Sequence, residues 1–350
     1  MAVNLFIKYG NKIAEKFTHE SFIAGNVSNE YEFTGAKTIR IMTPMTVPVG
    51  TYNRNATGNR FGTPTEMQDT VQEMVLSQEP SFALTIDKGN NADQNNLKPA
   101  MKMLGAQIRE QVTPFMDKHA FLKFAQEAGT VAGIDEPDVD NIVKDIFDGA
   151  AALDNGLVPG EDRYLYIPTK YYNMLRMSKE FLAVDTLAEK ALAKGYVGMV
   201  ADMKVIKVPD SYMPAGVYFI IAQKRCAMMP CKIRTARVLT EAPGIDGALL
   251  EGRNYFDAFV IGAKCEGVYA AVSAATAVAL PVVAIASNKA TVTAVSGVTF
   301  YYTLDGSDPR YSMTKQVYSA AVTTQAGDTI KVAGKNAAGY WSGVTEEVDD

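Results

Sequence analysis

Apolar positions change their period several times along the chain, and each change predicts a new element. In residues 4–20, Phe6, Tyr9, Ile13 and Phe17 recur every three or four positions, which predicts a short amphipathic helix ahead of Gly25. Its apolar stripe needs a partner on this chain or on a neighbour. KTIRIM then alternates, as do VQEMVL and SFALTID, the last placing Phe82, Leu84 and Ile86 on one face. Between the first two lies TPMTVPVGTYNRNATGNRFGTPT, whose three prolines and three glycines read as an extended edge or loop. The pattern predicts one long β-hairpin over 37–94 with no helix to cover it. Isolated two-stranded hairpins are marginal in water, so this arm is expected to lie on another surface.

Residues 95–126 show the cleanest helical period. Leu97, Met101, Leu104, Ile108, Val112, Phe115, His119 and Leu122 step by three or four, one face of a long helix. Pro114 is expected to kink it, because proline lacks the N–H and clashes with the preceding turn. A second helix is expected from DEPDVDNIV, with Asp135 as cap, Pro137 in the first turn and Asn155-Gly156 at the end. RYLYIP, MKVIKVP, VYFIIAQ and NYFDAFVIGAKCEGVYAA read as strands, TKYYNMLRMS and DTLAEKALAKG as helices. The fold class is α+β, without a regular βαβ beat. VSAATAVALP, residues 272–281, is small, neutral and ends in proline: a linker. Beyond it ATVTAV, TFYYTL, KQVYSAAV, TIKVAGK and SGVTEEV are short strands between turn signals, the pattern of a small all-β sandwich.

Composition narrows the function. Of 350 residues 47% are hydrophobic and 21% charged, with a net charge of −5, which fits a globular core and argues against a broad phosphate-gripping surface. No apolar run is long enough to span a bilayer, and the N-terminus does not read as a signal peptide. Cys226, Cys231 and Cys265 are expected as reduced thiols, and two histidines, His19 and His119, are too few for a Cys/His metal site. His119, on the helical stripe, is expected to be packed and hydrogen-bonded. No GxSxG, HExxH, GxxxxGK[ST] or strand-borne GxGxxG occurs, so no enzyme, catalytic residue, metal or cofactor is expected. In LDGSDP, Asp305 and Gly306 supply a positive-φ turn, Asp308 bonds its local backbone, and Pro309 holds Asp308 extended; the spacing lacks the further ligands of a calcium loop. Sixteen methionines, four of them (Met42, Met45, Met67, Met74) in or beside the arm, suit a surface that repacks.

The order of these elements over residues 1–272 resembles the major capsid protein of tailed bacteriophages, the Hong Kong 97-type fold. The resemblance rests on the hairpin ending in SFALTIDKGNN, the helix through IREQVTPFMDKHAFLKFAQEAG and the closing NYFDAFVIGAKCEGVYAA. It implies an N-terminal arm over 1–36, an extended loop over 37–94 and a spine helix over 95–129. An axial domain over 130–225 and returning strands of the peripheral domain over 226–271 would follow. Past the linker, FYYTLDGSDPRYS and TIKVAGKNAAGYWSG are similar to the immunoglobulin-like module at the C-terminus of chitobiases and hexosaminidases, here over 282–350. That module carries no catalytic residue, so no hydrolase activity transfers.

Together the resemblances imply a self-assembling shell protein of a virion capsid. Its copies form pentamers and hexamers and enclose double-stranded DNA without reading its sequence. A portal and a separate scaffolding protein are the implied partners, assembly takes place in the host cytoplasm, and no membrane is involved. No large fused scaffolding segment is expected. Inter-subunit contacts would come from Met42, Met45, Val47, Tyr52, Phe61, Phe82, Leu84 and Ile86. Lys37 and Lys88 read as ordinary surface lysines. The C-terminal module, with five basic and seven acidic residues, would decorate the outside of the shell, and truncation after Ala271 would leave assembly intact. Alternatives are an encapsulin-like compartment, or a carbohydrate-binding module using Tyr301, Tyr340 and Trp341 beside Tyr302; against the latter, small sandwiches need aromatic cores.

Overall fold

A computed structural model describes residues 18–349 apart from 19, 32, 34–36, 48, 65, 94–97, 179–197 and 241. The helices expected at 4–20 and 185–195 therefore lie outside the described residues, apart from the few at the end of the first. Among the described residues the first elements are β1 (Thr38–Pro44) and β2 (Asp69–Val75), then β3 (Ser81–Asp87) and a short α1 (Lys88–Asp93). A long helix follows as α2 (Ala100–Gln107), a π turn at Ile108–Val112 and α3 (Thr113–Gln126). Next come β4 (Thr130–Ile134), α4 (Ile142–Asn155), β5 (Arg163–Pro168), α5 (Thr169–Met177), β6 (Met199–Val200), β7 (Met203–Val208) and β8 (Val217–Gln223). β9 (Ala227–Met228), β10 (Cys231–Leu239), β11 (Gly247–Phe256), β12 (Phe259–Val260) and β13 (Val268–Ser273) complete the first body.

Its centre is a six-stranded sheet in the order β4-β13-β8-β5-β7-β6. Side chains alternate between its faces. Tyr164, Tyr166, Ile220, Val268, Ala270 and Val272 meet Phe121 and Phe124 of α3 on one side. Leu165, Ile167, Phe219, Ile221, Tyr269 and Ala271 meet α4 and α5 on the other. Both faces are covered, which is why RYLYIP, VYFIIAQ and VYAAV read as nearly continuous apolar runs. β13 lies second in this sheet, between β4 and β8. Pairing across more than a hundred residues, Tyr269 with Thr130, leaves no local trace in sequence.

The hairpin is shorter than expected. β1 pairs with β2 from Thr38↔Val75 to Pro44↔Asp69, and the stem closes there. β3 leaves it and joins β11, with Phe82↔Gly252, Leu84↔Leu250 and Ile86↔Ala248, in the sheet β10-β11-β3. Phe82, Leu84 and Ile86 are thus strand residues of a second sheet in the same chain, not of the extended loop. The alternation of three successive strands is identical, so sequence could not say which two pair.

The long helix also differs in phase. Thr113 N–H donates to the Ile108 carbonyl, five residues back, and the extra residue of this π turn rotates the following face by about 100°. Beyond it the buried positions are Met116, Asp117, Ala120, Phe121, Phe124 and Ala125, one step from the expected Phe115–His119–Leu122 stripe, and Phe115 is exposed. Pro114 sits at the first positions of α3, where the widened turn accommodates it. α4 begins at Ile142, five residues after Pro137. Asp138 Oδ1 accepts from the Asn141 N–H at 2.9 Å and Asn141 Oδ1 from the Asp138 N–H at 2.7 Å, a reciprocal box that sets the start. Its end at Asn155-Gly156 is as expected.

Beyond β13 two small sheets face each other: β14 (Val283–Ala286), β15 (Lys289–Val292) and β18 (Val322–Thr323) against β17 (Gln316–Val317), β16 (Val298–Thr303), β19 (Thr329–Asn336) and β20 (Thr345–Val348). Their core holds Val283, Ala290, Val292, Phe300, Val322, Ile330 and Val332. KQVYSAAV, expected as one strand, divides into β17 and β18 on different sheets.

Candidate functional site

The hairpin has an anchored stem and an uncovered tip. Ile41, Met74 and Leu76 pack with Phe33, Met228, Phe259 and Ile261, and Leu76 N–H donates to the Lys37 carbonyl at 3.1 Å. Beyond Pro44 the chain holds itself by little. Met45 N–H donates to Gln68 O at 2.7 Å and Asn53 N–H to Arg60 O at 3.1 Å, and the rings of Tyr52 and Phe61 meet edge-on at 5.0 Å. Val49 is 101% and Phe61 86% exposed, and Met42, Val47, Tyr52 and Met67 are exposed as well. Single exposed apolar residues are ordinary, and several on one loop are more than that base level. Met45 differs from the other tip residues: it is half-buried, and its Cε lies 2.9 Å from where a side chain at Gly306 would begin. It faces the C-terminal module of its own chain.

The stem's root is pinned by a buried hydrogen-bonded pair. His119 Nε2 lies 2.7 Å from Asp257 Oδ1, and Asp257 also accepts from Ser77 N–H at 2.9 Å and Ala258 N–H at 2.8 Å. The pair links the spine helix to the turn between hairpin and β3, the packed role expected for His119. Burial alone would raise the Asp257 carboxyl; the hydrogen bonds from His119, Ser77 and Ala258 outweigh it and hold the carboxyl below its usual range. With its folded pKa depressed, Asp257 contributes stability above about pH 4 that is lost as pH falls through the folded value. Asp257→Asn should cost about 1–3 kcal/mol at pH 7 and flatten the acid limb of the stability–pH curve, measured by urea unfolding between pH 3 and 7.

The module is fastened to the first body by the very turn that marks it in sequence. Gly306 has φ +75°, and Asp305 Oδ1 accepts from Ser307 N–H at 3.0 Å, as the Asp-Gly reading requires. Asp308 accepts from Arg310 Nη2 at 2.8 Å, and Pro309 is buried. Arg310, its side chain only 4% exposed, donates from Nη1 to Gly129 O at 2.5 Å. Tyr311 OH donates to Glu127 O at 2.6 Å. A Cβ at Gly129 would lie 2.2 Å from Cys265 O, so glycine lets the end of α3 close onto Cys265 within the first body, beside the Arg310 contact. Burial pushes the Cys265 thiol up to about 12 and Cys226 to about 11, which leaves both as protonated packing groups; Cys231 is half-buried.

Tyr340 and Trp341 complete the seam. Each is 3% exposed. Tyr340 belongs to the core cluster of the first body. Trp341 N–H donates to Gln126 O at 3.4 Å, and Gln126 Nε2 donates to Ala338 O at 2.7 Å. The indole meets Tyr301 edge-on at 5.2 Å, with Lys335 and Lys315 over it at 4.8 and 5.3 Å. Burial pushes both lysines down, helped by repulsion of Lys315 by Lys335 and of Lys335 by Lys123, and burial pushes Glu127 up against the pull of Lys123. The aromatics of the glycan alternative are buried or half-buried: Tyr340 packs in the core of the first body, and the Trp341 indole is covered by Tyr301, Lys315 and Lys335 of its own module. They are not in the sandwich's own core either. The linker is packed too: Ala277 and Val278 lie against the main core, and Asn336 Nδ2 donates to Thr276 O at 2.9 Å.

Known structures locate this arrangement. A structure from Mycobacterium phage Che8 matches at TM-score 0.66 and 19% identity, over 77% of this chain and 98% of its own. The capsid structure of Cyanophage P-SCSP1u matches at 0.65 and 12%, over 77% and 92%. The bacteriophage PhiM1 mature capsid matches at 0.60 and 14%, again over 77% and 92%. The fold is the Hong Kong 97-type capsid fold. The Fn3-associated family matches residues 285–348, which fits the immunoglobulin-like sandwich. No curated protein matches the chain. Among the described residues no group of three metal-ligating side chains occurs, and no helix is long and apolar enough to cross a membrane.

Proposed function

We propose that this chain is the major capsid protein of a tailed bacteriophage, a structural subunit whose copies close into an icosahedral shell around double-stranded DNA. The observation that carries this is the loop tip: on a capsid fold, Met42, Val47, Val49, Tyr52, Phe61 and Met67 stay exposed among the described residues. Each tip lies on the next copy, a head-to-tail contact that closes into pentameric and hexameric rings. Of the residues named from sequence, Met42, Val47, Tyr52 and Phe61 carry this contact; Phe82, Leu84 and Ile86 serve the sheet with β11, and Met45 the module. The acidic balance suits a wall that encloses DNA without gripping it. The axial domain is built on the six-stranded sheet, the peripheral domain on β10-β11-β3 and the spine. A portal and a separate scaffolding protein are the partners, and the module faces the shell exterior. Purified protein is expected to sediment as megadalton particles and to show closed shells in negative-stain microscopy. A compact monomer at high concentration, with the tip folded onto its own body, is the result that would overturn this reading.

A further inference from the structure

We propose that the C-terminal module is an intramolecular clamp that sets the angle at which the extended loop leaves the subunit. The clamp's effect on shells rests on the capsid reading; its existence within one subunit does not. Four consecutive module residues divide between two anchors, the first pair to one and the second pair to the other. Arg310 and Tyr311 bond the end of the spine, at Gly129 O and Glu127 O. Ser312 forms an antiparallel bridge with Gln72 of the loop stem, and Met313 N–H donates to Val71 O at 3.0 Å. The same Gln72 is tied from the other side. Its Nε2 donates to Val260 O at 2.9 Å and its Oε1 accepts from Gly262 N–H at 2.7 Å. The stem thus passes between the first body and the module and is bonded to both.

The two seams differ in strength. The spine seam is buried and locked by Arg310, Tyr311, Tyr340 and Trp341. The loop seam is a short backbone bridge flanked by two cavities. One, of about 230 Å³, lies beside Met45, Gln72, Gly262 and Gly306; the other, of about 320 Å³, lies beside Met42, Val71, Asp305 and Met313. Space beside a bridge removes the packing that would make it rigid. The module therefore stays with the spine while the loop can yield against it. This revises the expectation that the module is a dispensable ornament.

Hydrogen–deuterium exchange on the full-length, unassembled protein tests the clamp. Met313→Pro removes the N–H given to Val71, and Met313→Ala keeps it. Amides of residues 70–75 should exchange at least tenfold faster in Met313→Pro and as in the parent in Met313→Ala, with residues 120–126 and 219–222 unchanged in both. If the proline unfolds the module, its hold on the stem is lost as well and the same acceleration is expected. Unchanged protection at 70–75 in Met313→Pro therefore overturns the clamp in either case. In parallel, Met313→Pro shells should be fewer and broader in diameter than parental ones. If the parent forms no shells, the capsid reading fails, while the exchange result still decides the clamp.

Discussion

Replacing residues 46–67 with a two-residue Asn-Gly turn is expected to abolish shell formation and leave the subunit folded. The cut is local: Met45 already donates to Gln68, so a tight turn can close the stem there. The removed tip supplies nothing to the four apolar clusters of the subunit, so the melting temperature should hardly move. The loss falls on association. Burying a Val, Met or Phe side chain is worth about 1.5–3 kcal/mol, so Val47, Val49, Tyr52, Phe61 and Met67 offer roughly 10 kcal/mol per contact before ordering costs. Losing a third of that shifts each contact equilibrium more than a hundredfold, and a shell repeats the contact at every subunit. Phe61→Ser alone should raise the concentration at which shells appear about tenfold or more. Sedimentation velocity reads both variants; closed shells of normal size from the shortened chain would refute the role of the tip.

Arg310→Met is expected to destabilise the folded chain by about 3 kcal/mol, near the lower end for breaking a buried ion pair. The substitution keeps the apolar stem but strands Asp308 and takes the donor from Gly129 O. Asp308 retains some exposure, which lets water relieve part of the cost. Arg310→Met combined with Asp308→Asn should recover a share of the loss, because the two residues act as a pair. Chemical denaturation of the three variants measures this. The same variants should raise the fluorescence response of Trp341, the only tryptophan, to soluble quenchers, since the seam that hides it opens.

The sequence cannot place the module's aromatic residues, for one physical reason. Aromatic residues at the end of a small sandwich look alike in sequence whether they face a sugar, their own core or another domain. Tyr340 finds the third partner, while Trp341 is covered by residues of its own module. Arg310 and Tyr311 could have been suspected from sequence: an arginine and a tyrosine directly after a tight Asp-Gly-Ser-Asp-Pro turn are large side chains held on a rigid projection. What they reach, Gly129 and Glu127, is about 180 residues away and carries no matching motif.

What the residues determine by themselves is local. A strand buried on both faces must be apolar throughout, so RYLYIP and VYFIIAQ are legible. Asp305-Gly306 forces its turn because glycine accepts a positive φ. The tip's prolines and glycines forbid regular structure, so the extended loop announces itself. Tertiary structure decides the rest, because it depends on which equivalent surface meets which. β3 pairs with β11 rather than with the stem, a single π turn moves the spine's buried face off the periodic stripe, and the module's aromatics close a seam instead of opening a site. Each choice is made by contacts between distant residues whose energies no local pattern encodes.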